Sequence, residues 1–267
     1  MKFIHSNGIA LHYELHRPAA GLPVIVFANS LGTDLRIWDD VVALLAPRFA
    51  ILTYDKRGHG LSDLGEAPHM IATHAADLAD LLDQLGSGPA IVCGLSVGGL
   101  IALGLLSSRP DLVRALVLCD TAPKIGTDAG WNGRIRAVEQ GGIVGVADAI
   151  LAGWFTAAYR NGAAAAFAGW RNMLTRQSAA GYLAICAAIR DADFTAAAKA
   201  IAVPTLCIAG ESDMTTTPEL MAAMAKAIPK ARFEVIRDAA HIPCIEQPAV
   251  FAALIADFVQ PLLGGTT

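Results

Sequence analysis

The stretch Ala90-Ile91-Val92-Cys93-Gly94-Leu95-Ser96-Val97-Gly98-Gly99 decides the fold of this chain. Its first four residues form a short apolar run, which predicts a buried strand, and the apolar residues from position 100 onward continue at helical spacing. Ser96 therefore lies between a strand and a helix, with a glycine two residues before it and another two residues after it. Glycines at these positions permit a sharp backbone turn. The pattern predicts a strained turn that exposes the hydroxyl group of Ser96.

The same region has the length of a membrane span. Residues 86–108 carry no charged side chain, and about 20 apolar residues suffice to cross a bilayer. The segment holds six glycines and one proline, however, and its hydrophobic period changes midway from that of a strand to that of a helix. We therefore expect a buried strand, a turn and a buried helix here.

Strand-like and helix-like runs alternate along most of the chain. The Asn7-Gly8 pair predicts the turn of an N-terminal hairpin, and the later strands are continuously apolar, which indicates a mostly parallel sheet covered by helices on both faces. The predicted strands after the hairpin cover residues 24–28, 50–54, 90–93, 115–119, 205–209 and 233–236. The predicted helices cover residues 35–46, 71–85, 97–108, 218–228 and 249–262.

The alternation breaks in the second half of the chain. Between Pro123 and Ala202 the sequence is rich in alanine, tryptophan and arginine, with helical spacing and no clear strand. We expect a helical cap over 124–202, inserted into an α/β core formed by 1–123 and 203–267. A chain of 267 residues accommodates one such core without a second independent domain.

Composition and charge exclude several classes of partner. A net charge of −4 provides no basic stripe, so we expect no nucleic-acid partner. The N-terminus lacks the apolar run of a signal peptide, so we expect a cytoplasmic protein without a membrane partner. Five cysteines without a CxxC pair argue against disulfides and against a zinc site. A small molecule is the expected partner, and the sequence leaves the oligomeric state open, a homo-oligomer included.

The predicted turn at Ser96 indicates nucleophilic catalysis. A serine hydroxyl becomes a nucleophile only when a base removes its proton. A strand, the motif G-x-S-x-G and a helix together form the nucleophile elbow of the α/β-hydrolase fold, in which an acid and then a histidine follow the serine along the chain. Asp213 and His241 each follow a predicted strand, so we predict that His241 is the base and that Asp213 orients it. Asp120, which also ends a strand, stays an alternative acid.

The oxyanion of a reacting carbonyl needs backbone N–H donors as well. One donor in this fold is the residue after the nucleophile, here Val97, and the other comes from a loop after an early strand. We predict Leu31 as the second donor, with Ser30 as the alternative. His59 precedes the serine in a glycine-rich loop, where we expect a structural hydrogen bond. The remaining histidines are expected at the surface: His5, His12, His16, His69 and His74.

Three motifs together resemble the 3-oxoadipate enol-lactonases of aromatic-compound catabolism. They are the elbow, the loop Asn29-Ser30-Leu31-Gly32-Thr33-Asp34, and the segment Tyr54-Asp55-Lys56-Arg57-Gly58-His59-Gly60-Leu61-Ser62. The elbow and the Arg57-Gly58-His59-Gly60 run occur across many α/β-hydrolases, whereas Asn29-Ser30-Leu31-Gly32 is narrower and favours the lactonases. The resemblance covers essentially the whole chain, including the predicted cap segments 125–127, 131–135 and 154–156.

The resemblance implies a reaction and a substrate. The chain is expected to open 3-oxoadipate enol-lactone to 3-oxoadipate with water, in the β-ketoadipate pathway, without a metal or an organic cofactor. The free carboxylate of this substrate needs a cation. Arg134 in the cap is our candidate, ahead of Arg36 and Lys124, and Trp131 and Trp154 are expected to form apolar walls over the pocket. A solvated arginine and plain packing of the two tryptophans remain the alternatives.

Other functions are open to the same fold. A carboxylesterase, a C–C bond hydrolase and a perhydrolase would all use a serine, a histidine and an acid without a cofactor. A pocket without a cation would favour a neutral ester. A non-catalytic receptor usually lacks a member of the triad, and this sequence offers a candidate for each of the three.

Overall fold

A computed structural model describes residues 1–17, 19 and 21–263 of the chain. Within these residues the strands are β1 (Lys2–Ser6), β2 (Ile9–His16), β3 (Val24–Ala28), β4 (Ala50–Tyr54), β5 (Ala90–Leu95), β6 (Val113–Cys119), β7 (Thr205–Gly210) and β8 (Arg232–Ile236). The helices are α1 (Asp39–Leu45), α2 (Ile71–Gln84), α3 (Val97–Ser108), α4 (Asp128–Trp154), α5 (Ala157–Gly162), α6 (Ala164–Thr175), α7 (Ala179–Asp191), α8 (Thr195–Lys199), α9 (Pro218–Ala227), α10 (Pro243–Glu246) and α11 (Pro248–Leu263).

The strands form one mostly parallel sheet. Their order is β1-β2-β4-β3-β5-β6-β7-β8. The hairpin of β1 and β2 is antiparallel and joins β4 in antiparallel pairing, whereas every pairing from β4 to β8 is parallel. Asn7 and Gly8 both have positive φ, at 44° and 77°, as the predicted tight turn requires. The carboxyl ends of the parallel strands therefore meet at one edge of the sheet, where a site can form.

Two hydrophobic layers enclose the sheet. Alternate residues of β3 face opposite layers, with Ile25 and Phe27 in one, and Val24, Val26 and Ala28 in the other. The first layer takes side chains from α1 and α11, and the second from α2 and α9. Because both faces are covered, β3, β4 and β5 are buried along their whole length. This explains why their sequences are apolar without alternation.

The helices α4 to α8 lie between β6 and β7, in the segment where the sequence predicted a cap, and we refer to them as the helical insertion. The helix α4 is interrupted at Gly142, which has φ 65° and ψ 178°, a conformation that glycine adopts readily. We propose that the boundaries of this insertion lie at 124 and 202. Pro18, Ala20 and residues 264–267 of the predicted core lie outside the described residues.

The uncharged segment 86–108 forms β5, the turn at Ser96 and α3, as predicted. No helix in the described part of the chain combines the length and the apolar character that crossing a membrane requires. The predicted helix over 35–46 is two pieces, a 3₁₀ turn at Leu35–Trp38 followed by α1.

Candidate active site

Ser96 occupies a strained turn between β5 and α3. Its backbone has φ 58° and ψ −118°, a conformation that is costly for a residue with a side chain. A Cβ atom added to Gly94 would lie 2.2 Å from Gly98 O, and one added to Gly98 would lie 2.0 Å from Ala28 O. Only glycine fits at either position. The sequence signal of the elbow is therefore a direct consequence of how closely the backbone packs here.

The turn is also held by hydrogen bonds. Ser96 N donates to Cys119 O over 2.9 Å, and Gly99 N donates to Ser96 O over 2.9 Å. Thr121 Oγ1 donates to the same Ser96 carbonyl over 2.7 Å. These contacts from β6, from α3 and from the loop after β6 stabilise the strained conformation and fix the position of the Ser96 backbone.

His241 and Asp213 form a buried pair beside this turn. His241 Nδ1 lies 2.8 Å from Asp213 Oδ2. The carboxylate also accepts from Thr215 N and from Thr216 Oγ1, each over 2.7 Å. Burial alone would raise the pKa of Asp213, but the pairing with His241 and these hydrogen bonds hold it well below its usual range. An ionised Asp213 keeps a proton on Nδ1, which leaves Nε2 as the basic nitrogen.

Asp120 lies behind this pair as a second, uncharged acid. It is fully buried, and its Oδ1 accepts from Gly210 N over 2.8 Å. Burial, together with the nearby charge of Asp213, raises the pKa of Asp120 well above its usual range. The two carboxyl groups therefore share one negative charge, since like charges in one buried site cannot both persist. His241 is hydrogen-bonded to Asp213, so the geometry favours Asp213 over Asp120 as the acid.

Within the described residues, Asp120, Asp213 and His241 form the one group whose candidate metal-ligand atoms all lie within 4.8 Å of one another. These atoms already bond to each other and to neighbouring backbone groups. The arrangement is suited to holding a proton on the imidazole.

Among the described residues, the N–H groups of the two predicted oxyanion donors have no acceptor. Val97 is the first residue of α3, so its N–H has no partner within the helix. Leu31 N–H and Ser30 N–H donate to no acceptor among the described residues. Gly32 N donates to His59 Nε2 over 3.0 Å, which is the structural hydrogen bond predicted for that histidine.

The serine and the histidine open onto one cavity of about 250 Å³. The predicted substrate-binding residues Trp131, Arg134 and Trp154 all lie in its wall. The full lining is Ser30, Leu31, Ser96, Ile125, Gly126, Thr127, Gly130, Trp131, Arg134, Ala149, Ile150, Gly153, Trp154, Tyr182, Thr215 and His241. The helical insertion thus closes the cavity over the carboxyl edge of the sheet.

Arg134 is half-buried and lines this cavity. Its guanidinium carbon lies 5.6 Å from the centre of the Trp131 ring, and its NH1 lies 3.5 Å from Tyr182 Oη. No carboxylate of the described residues pairs with it. The two alternative cations are elsewhere, since Arg36 pairs with Asp34 at 2.6 Å and Lys124 bonds to the carbonyl of Arg190.

The sequence reasoning missed Tyr182. This residue of α7 is buried, and burial raises the pKa of its hydroxyl to about 12, so the hydroxyl stays protonated at neutral pH. Its helical spacing made it resemble an ordinary core residue of the helical insertion. Only packing shows that its hydroxyl reaches the cavity beside Arg134.

The surface assignment of the other histidines was wrong for three of them. His5 and His16 are exposed, but His12, His69 and His74 are buried. His12 Nδ1 lies 2.8 Å from Asp55 Oδ2. The partner of His12 is distant in sequence, whereas the rings of His69 and His74 pack edge to face against each other with centroids 5.4 Å apart.

Comparison with known proteins is consistent with this geometry. The alpha/beta hydrolase family matches residues 25–254. The chain is 36% identical to 3-oxoadipate enol-lactonase 1 of Acinetobacter baylyi, over 98% of this chain and 100% of that protein. It is 32% identical to 3-oxoadipate enol-lactonase 2 of the same organism, over 92% of this chain and 91% of that protein.

A solved structure of an enol-lactonase is also similar to this chain. The enol-lactonase from Burkholderia xenovorans LB400 superposes with a TM-score of 0.93 at 36% identity, covering 97% of this chain and 100% of that chain. The predicted fold and the predicted resemblance are thereby confirmed: the chain belongs to the 3-oxoadipate enol-lactonase family of the alpha/beta hydrolases.

Proposed function

We propose that this chain is a serine hydrolase that opens 3-oxoadipate enol-lactone to 3-oxoadipate. One observation carries the assignment. Arg134, without a carboxylate partner in the described residues, lies in the same cavity of about 250 Å³ as Ser96 and His241. A nucleophile and an unpaired cation in so small a space suit a compact ester that carries its own carboxylate. The two relatives named 3-oxoadipate enol-lactonase support the same substrate.

The first half of the reaction forms an acyl-enzyme. Ser96 Oγ attacks the lactone carbonyl carbon while His241 Nε2 accepts the hydroxyl proton. The carbonyl oxygen becomes an oxyanion that Leu31 N–H and Val97 N–H stabilise. As the tetrahedral intermediate collapses, the ring C–O bond breaks. The departing enolate oxygen takes the proton from His241, and the enol remains covalently attached through the Ser96 ester.

The second half returns the enzyme to its starting state. His241 removes a proton from water, and the resulting hydroxide attacks the Ser96 ester carbonyl. The second tetrahedral intermediate collapses, Ser96 Oγ recovers the proton from His241, and a carboxylic acid is released. The enol tautomerises to the ketone. Protons balance without a metal or an organic cofactor, and Asp213 stabilises the imidazolium in both halves.

Side chains of the helical insertion orient the substrate. The guanidinium of Arg134 can bind the substrate carboxylate with two parallel hydrogen bonds, and Tyr182 Oη stands beside it as a further donor. Trp131 and Trp154 supply apolar walls around the ring. We propose that this clamp, and not the triad, selects the substrate. The product places the chain in aromatic-compound catabolism, within the β-ketoadipate pathway.

The test follows the absorbance of purified enol-lactone with three variants. Ser96→Ala should abolish turnover. Arg134→Gln should raise KM at least tenfold, because the substrate carboxylate loses its cation, while 4-nitrophenyl acetate, which has no carboxylate, should be hydrolysed as before. Arg136→Gln is the matched control, since Arg136 is exposed on the same helix α4. Wild-type enzyme that cleaves the aryl ester but leaves the lactone intact would point instead to a carboxylesterase.

A further inference from the structure

A buried lysine lies next to the oxyanion loop, residues 29–33. Lys56 follows β4 and is only 1% exposed. Its Nζ donates to Ser30 O over 2.6 Å and to Thr33 O over 3.2 Å. Burial of an ammonium group is costly unless hydrogen bonds and opposite charges compensate it. A buried lysine at this position therefore destabilises the folded protein, which suggests that its charge has a function.

The first acceptor of Lys56 belongs to a particular peptide unit. Ser30 C=O and Leu31 N–H are the two ends of one planar trans peptide, so they point in opposite directions. The ammonium holds the carbonyl end, and the N–H end is the predicted oxyanion donor. A positive charge at the carbonyl polarises the peptide and makes its N–H a stronger donor, as in any chain of linked hydrogen bonds.

The rest of the loop is fastened by neutral contacts. Thr33 Oγ1 also donates to Ser30 O, over 2.9 Å, and Asn29 Nδ2 donates to Thr33 O over 2.6 Å. Gly32 N donates to His59 Nε2. Lys56 is thus the one charged group, among the described residues, that donates to a carbonyl of this loop. The loop presents Leu31 N–H while the carbonyls of Ser30 and Thr33 are occupied.

We propose that Lys56 is a positioning residue for the reaction: its ammonium orients and polarises the Ser30–Leu31 peptide so that Leu31 N–H binds the oxyanion more strongly. This role rests on the proposed use of Leu31 as an oxyanion donor. Lys56 is not among the residues that line the cavity at Ser96. It acts through a peptide, and it contributes mainly in the transition state, when the negative charge develops.

The charge of Lys56 responds to pH. Burial lowers the pKa of Lys56 to about 7, while Asp55 and Asp34 oppose the shift. His59 and His74 also face this ammonium. A neutral amine still has two N–H donors for the two carbonyls, so the loop keeps its hydrogen bonds above neutrality. What it loses as pH rises is the positive charge behind the Ser30–Leu31 peptide.

Two variants separate the charge from the hydrogen bond. Lys56→Met removes both, and Lys56→Gln keeps a neutral donor in a smaller side chain. Lys226→Met, at an exposed site on α9, is the control. We expect kcat on the enol-lactone to fall about 10- to 100-fold in Lys56→Met, less than the 10²- to 10³-fold loss of a whole oxyanion donor. The kcat of Lys56→Gln should lie between those of Lys56→Met and wild type. The KM of both variants should differ from that of wild type by less than about threefold.

The pH profile distinguishes this role from a structural one. The ratio of wild-type kcat to Lys56→Gln kcat should decrease as pH rises through about 7, because the wild type loses a charge that the variant never had. The other groups that face Lys56 are present in both enzymes, so their influence largely cancels in the ratio; they are Asp34, Asp55, His59 and His74. Lys56→Gln also keeps this test available if Lys56→Met does not fold, as judged by circular dichroism and thermal melting.

The outcomes are separable from those of the proposed substrate, since every variant is also assayed with 4-nitrophenyl acetate. If wild type cleaves only the aryl ester, the lactonase assignment fails, and the effect of Lys56 is read from that ester. Folded variants with wild-type kcat on the substrate that wild type cleaves would overturn the role of Lys56 alone. A lower melting temperature with a ratio that does not vary with pH would also overturn it, by showing a purely structural role.

Discussion

Two histidine–aspartate pairs in this molecule have the same local geometry but different surroundings. In each, Nδ1 of the histidine lies 2.8 Å from Oδ2 of the aspartate, and both partners are buried. His241–Asp213 shares a cavity with Ser96. In His12–Asp55, the second ring nitrogen is buried without a partner in the described residues, and the ring packs 5.1 Å from that of Phe3.

The His12–Asp55 pair links three segments of the chain through hydrogen bonds to the Asp55 carboxylate. Asp55 Oδ1 accepts from Leu35 N over 2.8 Å, and Oδ2 accepts from Leu61 N over 2.9 Å in addition to His12. The carboxylate therefore connects β2 with the loops that follow β3 and β4. The comparison teaches that a histidine–aspartate pair is not itself a catalytic signature. What distinguishes His241 is the strained Ser96 in the wall of the same cavity, because the cavity that His12 and Asp55 line carries no serine, threonine or cysteine among the described residues.

The largest expected effect is on catalysis. His241→Gln should lower kcat by about 10⁴-fold or more, because the serine loses its base. His12→Gln should leave kcat within about threefold of wild type. The measurement is steady-state turnover of the enol-lactone by both variants at equal folded concentration. A loss of similar size in both variants would show that the two pairs do not differ in the way we describe.

The next largest effect is a loss of stability when the His12–Asp55 pair is disrupted. Asp55→Asn should lower the free energy of unfolding by roughly 2 to 4 kcal/mol, since two buried hydrogen bonds and one partly buried hydrogen bond lose their charged acceptor. Urea denaturation measures this change. Exposed Asp148→Asn on α4 serves as the control for replacing an aspartate. Equal urea midpoints for wild type and Asp55→Asn would contradict the structural role that we assign to Asp55.

The two acids near His241 should affect stability with opposite dependence on pH. Asp213 has a lowered pKa, so its contribution to stability is present above its unfolded pKa and is lost as pH falls toward its folded pKa. Asp120 has a raised pKa, so the native state loses stability as pH rises above the unfolded value. The advantage of wild type over Asp213→Asn should therefore shrink below about pH 4, and Asp120→Asn should gain stability relative to wild type as pH rises above about 4.

Thermal melting of wild type and of both variants, above and below about pH 4, checks the direction in which the stability of each changes with pH. The same two variants also compare the acids in catalysis. Asp213→Asn should lower kcat by about 10⁴-fold through the wrong imidazole tautomer, whereas Asp120→Asn replaces an already neutral group and should retain most activity. The reverse order would make Asp120 the acid of the triad.

The smallest expected effect concerns Tyr182. Tyr182→Phe removes the hydroxyl 3.5 Å from Arg134 NH1 and leaves the ring in place. KM for the enol-lactone should rise about two- to fivefold, the size expected for one hydrogen bond, with kcat nearly constant. Tyr159→Phe, outside the cavity lining, is the comparison variant. An unchanged KM for Tyr182→Phe would confine the carboxylate clamp to Arg134.

Most of the fold followed from the sequence because its strongest signals are local. Strands β3 and β4 were predicted with their observed bounds, since buried parallel strands are apolar at every position. Ser96, Asp213 and His241 could be proposed from the sequence because the elbow restricts two glycine positions sterically and because chain order limits the partners. These signals lie within a few residues of the group they identify.

The features that the sequence did not reveal depend on contacts between distant segments. Lys56 lies in a polar loop, and nothing beside it in the chain shows that two carbonyls of residues 30 and 33 receive its ammonium. His12 was expected at the surface because it lies in an edge hairpin, yet Asp55 and Phe3 cover it. The interruption of α4 falls at Gly142, the second residue of a Gly141-Gly142 pair, a turn signal that the helical spacing on both sides of it obscured.

The most direct test of the central claim is covalent trapping of the nucleophile. Wild-type enzyme is treated with a fluorophosphonate, digested and analysed by mass spectrometry, alongside Ser96→Ala and the two histidine variants. We predict one phosphonylated peptide carrying Ser96, no adduct in Ser96→Ala, slow labelling in His241→Gln and wild-type labelling in His12→Gln. Labelling at another residue, or equal labelling rates in the two histidine variants, would contradict the assignment of Ser96 and His241.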